Sequence, residues 1–163
     1  MYLGIKRRFN EMAISCACSE TVKNGEVLML KGLAPASLTT VNGIALEGET
    51  YELTNNVDDA NEIFVIAAFG AHRYKNEQNY DFGDFDDVSG KPFRGYILRR
   101  GMEFDVEETV LEAGSELTVG DKLAVKASTH KLAKSEGTEK AIVAKVVAKP
   151  TLHGKKMVTI VIL

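Results

Sequence analysis

Ser19-Glu20-Thr21-Val22-Lys23-Asn24-Gly25-Glu26-Val27-Leu28-Met29-Leu30-Lys31 and Ser115-Glu116-Leu117-Thr118-Val119-Gly120-Asp121-Lys122-Leu123-Ala124-Val125-Lys126 are one phrase written twice, the second copy a residue shorter. Each copy opens on Ser-Glu, passes a Gly-acidic turn and runs into an apolar strand closed by lysine. A chain that starts two strands in the same way reads as β-rich.

The other apolar runs fit that reading. Met12 to Cys18, Ile63 to Phe69, Tyr96 to Leu98, Met102 to Val106, Ala141 to Ala148 and Met157 to Leu163 are short, and Gly, Asn, Asp or Pro separates most of them. Short strands with frequent turn signals predict an all-β sandwich or barrel rather than alternating β and α units. Alternation is cleanest in the second half. Leu123, Val125 and Ala127 should face inward with Lys122 and Lys126 in water, and Ile142, Ala144, Val146 and Ala148 should oppose Lys145 and Lys149. The last run is apolar on both faces except at Thr159, so it must be covered on both sides by its own domain or by a partner. At most one short helix is expected, best placed over residues 55 to 62 with Asn56 or Asp58 as its cap.

A chain of 163 residues can bury a real core without disulfide or metal support. The reading divides it into an N-terminal arm, residues 1 to 10, and a single β-rich domain, residues 11 to 163. A net charge of -3 excludes the strongly basic profile of a sequence-independent nucleic-acid binder. No apolar run approaches a membrane span, and the start Met1-Tyr2-Leu3-Gly4-Ile5-Lys6-Arg7-Arg8 lacks the apolar stretch of a signal peptide, so synthesis in a cytoplasm is expected. Cys16 and Cys18, two apart in a strand, point to the same face and are expected to be buried thiols.

Residues 71 to 93 resemble neither strand nor helix, and loops of that length tend to be functional or disordered. Their aromatics argue for order gained on docking, which makes Tyr80, Phe82, Phe85 and Phe93 candidate contacts with a partner. Lys6, Arg7 and Arg8 with Phe9 form a second candidate, a basic arm that reaches an acidic partner, set against a simple frayed terminus. Charge is also sorted along the chain. Residues 101 to 121 hold seven acidic and no basic residues, and residues 122 to 156 hold nine basic against two acidic. Such blocks either line solvated faces or pair between neighbouring copies.

No residue cluster announces a reaction. Asp81, Asp84, Asp86 and Asp87 offer oxygen ligands without the spacing of a calcium-binding EF-hand, and Asp81-Phe82-Gly83 stands without the other motifs of a kinase. His72, His130 and His153 lie far apart, with no evident nucleophile and orienting acid beside them. The Gly-rich turns lack the spacing of phosphate-binding loops. No catalytic residue, cofactor or metal is therefore expected.

Phe93-Arg94-Gly95-Tyr96-Ile97-Leu98-Arg99-Arg100-Gly101-Met102-Glu103-Phe104, then Leu117 to Val125 with its Val-Gly-Asp turn, the polar turn Thr129-His130-Lys131-Leu132 and the strand Ala141-Ile142-Val143-Ala144-Lys145-Val146 together resemble the capsid decoration, or cement, proteins of tailed bacteriophages. The likeness covers residues 93 to 163, with a weaker echo at 12 to 32. It implies a compact β-tulip-type fold, a homotrimer, and a place on the exterior of the expanded head in the virion. There such a protein clamps neighbouring major capsid protein subunits, with no membrane and no specific nucleic acid as partner. The family has no catalytic residues to carry over. The same patterning admits a tail, baseplate or fibre-associated β subunit, and more remotely a trimeric β-barrel enzyme or a carbohydrate-binding module, the last weakened by the absence of Trp.

Overall fold

The computed structural model describes residues 3–7, 13–41, 44–45, 48–54, 63–68, 92–126, 129, 131–137, 142–152 and 154–163. In chain order the strands are β1 (Leu3–Arg7), β2 (Ala13–Ala17), β3 (Val27–Leu33), β4 (Thr40–Val41), β5 (Ile44–Ala45), β6 (Thr50–Thr54), β7 (Phe64–Ala67) and β8 (Phe93–Ile97). They continue as β9 (Glu103–Glu107), β10 (Lys122–Val125), β11 (Leu132–Lys134), β12 (Ile142–Ala148), β13 (Thr151–Leu152) and β14 (Lys155–Ile162). The chain is all-β, as its apolar runs predict. One four-residue helix, α1 (Ala36–Thr39), follows Pro35, and a 3-10 turn spans Glu108–Val110. The helix expected over residues 55 to 62 and most of the 71 to 93 loop lie outside the described residues. Four residues are too few to show a helical period, which is why α1 leaves no mark in the sequence pattern.

Two sheets carry the fold. β2, β6, β3, β7 and β8 close into a barrel, sealed by the parallel pair β2 and β6. β1, β9, β14, β12, β10 and β11 form an open antiparallel sheet in that order, with β13 folded onto β14. Barrel strands alternate as period two demands. Cys16, Leu28, Leu53, Val65 and Phe93 fill the lumen, and Val27, Ile66 and Tyr96 point out of it into a larger core with Phe104, Val106, Leu123, Val158 and Ile160 of the open sheet. A five-stranded barrel is narrow, and the lumen has no room for a side chain at Gly95. A Cβ there would stand 2.5 Å from Val65 Cγ1 and 2.8 Å from Cys16 Sγ.

The repeated phrase folds the same way twice. In the first copy the Glu26 N–H donates to Lys23 O (3.1 Å) and Gly25 has φ +91°, while in the second the Asp121 N–H donates to Thr118 O (3.1 Å) and Gly120 has φ +101°. Both are type II turns, which require a left-handed third residue. Each acid then closes its own turn, with Lys23 N–H donating to Glu26 Oε2 (2.8 Å) and Thr118 N–H to Asp121 Oδ2 (2.9 Å). Each turn also clamps a neighbouring strand. Gly25 N–H donates to Ala67 O and Ala67 N–H to Glu26 O, just as Gly120 N–H donates to Val146 O and Val146 N–H to Asp121 O. One copy thus starts a barrel strand and the other a strand of the open sheet.

β14 meets its expected two-sided cover from within the chain. Met157, Val158, Thr159 and Ile160 are all buried within one protomer, so the two-sided cover that this strand demands comes from its own chain. Thr159 donates its hydroxyl to Asp105 Oδ1 on the neighbouring β9, which satisfies the polar group on the far face. In β12 two register shifts alter the simple alternation. Val146 lies opposite Ile160, but Ala148 lies opposite Thr159, so Ala148 leaves the inner face. On the β10 side the register also shifts, with Leu123 opposite Ala144 but Ala124 opposite Ile142, and Val143 packs into the core.

Two glycine replacements are expected to destabilise for different reasons. Gly120→Ala meets no atom within 4 Å, so its cost is backbone strain of about 1–2 kcal/mol. Gly95→Ala overfills the barrel and costs about 1–3 kcal/mol, and adding Val65→Ala recovers part of it. Urea denaturation of the singles and the double checks this; an additive double mutant would show that Val65 is not the obstacle.

Candidate functional site

The sequence-derived contact residues fall into two groups. Lys6 and Arg7 of the basic arm belong to β1, which runs antiparallel to β9 at the edge of the open sheet, with Arg7 opposite Glu103 and a register shift at Lys6. Residues 3 to 7 therefore enter the sheet as a strand. Arg8 and Phe9, like Tyr80, Phe82 and Phe85, lie outside the described residues. Phe93 is 8% exposed and packs in the barrel lumen, because β8 alternation turns it inward together with Gly95 and Ile97. Its ring serves the core. The three histidines and the acidic stretch Asp81 to Asp87 also lie outside the described residues.

Sorted charge, which the sequence leaves open between solvated faces and contacts among copies, finds much of its answer inside the chain. Glu107 faces Lys155 (3.9 Å), Glu108 faces Lys149 (3.0 Å), Glu112 faces Lys126 (3.2 Å) and Asp121 faces Lys134 (2.9 Å). The acidic block and the basic block that follows it are adjacent strands and turns of one sheet, so they neutralise each other. At Asp121 the Thr118 N–H hydrogen bond, joined by the Lys134 ammonium, holds the carboxyl below its usual value.

Lys149 is the most heavily bonded of these cations. The sequence pattern puts it in water beside Lys145, yet its Nζ donates to the carbonyls of Gly114 (3.2 Å), Ser115 (3.0 Å) and Leu117 (3.0 Å) and pairs with Glu108. The register shift between Val146 and Ala148 redirects the end of β12, and no sequence signal marks it. Through Lys149 the turn from Glu108 to Leu117 is pinned to β12. The same turn leaves no space for a larger residue at Gly114, where a Cβ would lie 2.2 Å from Glu108 O.

On the face of the open sheet turned away from the barrel, one row reads Glu103, Val161, Lys145 and Lys122 across β9, β14, β12 and β10. Val119 (64% exposed) in the Gly120 turn that leads into Lys122, and Val147 (38%) in the β12 bulge that follows Lys145, meet where that turn is bonded to Val146. Leu33 (66%) at the end of barrel strand β3 and Ile44 (71%) in the separate β4–β5 ribbon are also exposed. The thiols of Cys16 in β2 and of Cys18 just beyond it are both buried in the barrel core, and burial pushes Cys16 up to about 12. Among the described residues no group of His, Cys, Asp and Glu is arranged to hold a metal ion. The described surface offers charged and apolar side chains for contact.

No protein-family model and no curated protein matches the chain. Among solved structures it is similar to the head fiber gp8.5 N base of bacteriophage phi29, at 13% identity, 94% coverage of each chain and a TM-score of 0.47.

Lys149→Met is expected to lower stability by about 1–2 kcal/mol, since one partly exposed ammonium serves three carbonyls and a carboxylate. Amide exchange should quicken first in residues 112 to 117, and a uniform change across both sheets would contradict the pinning role. A thiol reagent at pH 8 should leave Cys16 unmodified until the protein unfolds. Because its folded value lies above the unfolded one, stability falls as pH rises from about 9 toward 12, and Cys16→Ala should flatten that fall.

Proposed function

We propose that this chain is a structural, non-enzymatic subunit of a tailed-bacteriophage particle. In its finer form the reading is a homotrimeric decoration protein on the outside of the expanded head, bound to the major capsid protein and strengthening contacts between capsomers. The observation that carries it is where the resembling stretch lies in the fold. Within residues 93 to 163, β9, β14, β12, β10 and β11 are consecutive neighbours in one sheet, and the Val-Gly-Asp turn that opens β10 is locked to β12. From residue 103 onward the sequence likeness thus lies in one sheet, and its opening strand β8 belongs to the barrel wall that packs against that sheet.

The surface suits adhesion. Leu33, Ile44 and Val119 are apolar and well exposed, on separate parts of the molecule, as suits a subunit that touches several neighbours. Many weak contacts repeated by shell symmetry give large avidity without a strong single interface. A closed trimer would present three such sets at once.

Purified protein should elute with a light-scattering mass three times the 17.8 kDa of one chain, and should bind expanded heads but not unexpanded ones. Cryo-EM of decorated heads should place it across capsomer junctions. Raising salt from 0.1 to 1 M shortens the screening length from about 10 to about 3 Å and should weaken binding. A monomer that ignores heads would overturn the proposal, and density on the tail or in a fibre would move the chain to a fibre-associated role.

A further inference from the structure

We infer that the outer face of β10 and β12, centred on Lys122 and Lys145, is a docking surface for a carboxylate-rich segment of a partner protein. The two lysines are direct cross-strand neighbours, and both are exposed. Side chains so placed lie about 5 Å apart at Cβ, and like charges there destabilise a sheet. Their neighbours in sequence are treated differently. Lys126, Lys134, Lys149 and Lys155 each face a carboxylate, and Lys131 donates to Thr109 O. Lys122 and Lys145 have no such partner among the described residues. The sheet therefore pairs four lysines of its basic block with carboxylates and, among the described residues, leaves Lys122 and Lys145 as a facing pair of cations.

The surroundings say what would fit. Val161 lies opposite Lys145 on β14, partly exposed, and Val119 and Val147 add apolar surface beside the pair. A partner segment with two carboxylates spaced to meet adjacent strands, and with small apolar residues between them, would neutralise both lysines and cover the valines. Two ammonium groups flanked by exposed valines suit a protein segment better than a phosphate backbone, which would gain nothing from the apolar surface.

The lysine pair makes the test discriminating, because removing the repulsion should help the fold. Lys145→Glu converts the pair into a cross-strand ion pair and should raise the melting temperature by about a degree or more. The probe is a synthetic peptide of alternating Glu and Val, titrated into isotope-labelled protein at low salt. Amide shifts should concentrate in residues 118 to 124 and 143 to 148, and the apparent Kd should rise at least tenfold in Lys145→Glu and in Lys122→Ser/Lys145→Ser. Shifts elsewhere, or equal binding by these variants, would overturn the inference. So would tighter binding of duplex DNA than of the peptide at the same face.

Discussion

A four-residue turn that is closed by its own acid and locked to the next strand is the constraint on which both halves of this protein depend. The glycine provides a backbone conformation that other residues adopt only under strain, and the acid that follows caps the N–H at the start of the turn. What the turn then does is less local. Its glycine N–H and its acid carbonyl both bond one residue of another strand, Ala67 in the barrel and Val146 in the sheet. Register is set in the same stroke as direction, and a one-residue slip would turn the apolar set of β3 or β10 to the wrong side.

The second organising fact is that β3, β7 and β8 work on both faces. Leu28, Val65 and Phe93 look into the barrel, while Val27, Ile66 and Tyr96 look into the interface with the open sheet. The two sheets therefore share a wall. Strands buried on both faces read as continuous apolar runs, and this is why Val27 to Leu30 and Val65 to Ala67 show no polar alternation.

Much of this was legible in the sequence. The duplicated phrase located two strand starts and their turns, and the short apolar runs located β2, β3, β7, β9, β10, β12 and β14. The same-face pairing of Cys16 and Cys18 followed from period two alone. What stayed hidden has identifiable causes. β6 carries Tyr51 and Leu53 among polar residues and is revealed only by its pairing with β2 and β3. The bulges of β12 move Ala148 off the inner face without changing composition, and Lys149 looks like any other solvent lysine until three carbonyls converge on it. Phe93 closes an aromatic-rich stretch of sequence, but its place in a strand decides which way it points. For the candidate surface, the sequence shows that charge is sorted, whereas only the register shows that Lys122 and Lys145 face each other across strands.

The position of β14 has a consequence for how the molecule is made. This strand lies at the middle of the open sheet, between β9 and β12, although it is the last strand in chain order. Every strand of the barrel has been synthesised by residue 97, while the inner faces of β9, β10 and β12 have no central strand to join them until residue 162 has left the ribosome. The open sheet can thus close only after every strand of the barrel has been made, and until then the growing chain carries a small barrel whose outer wall is still bare.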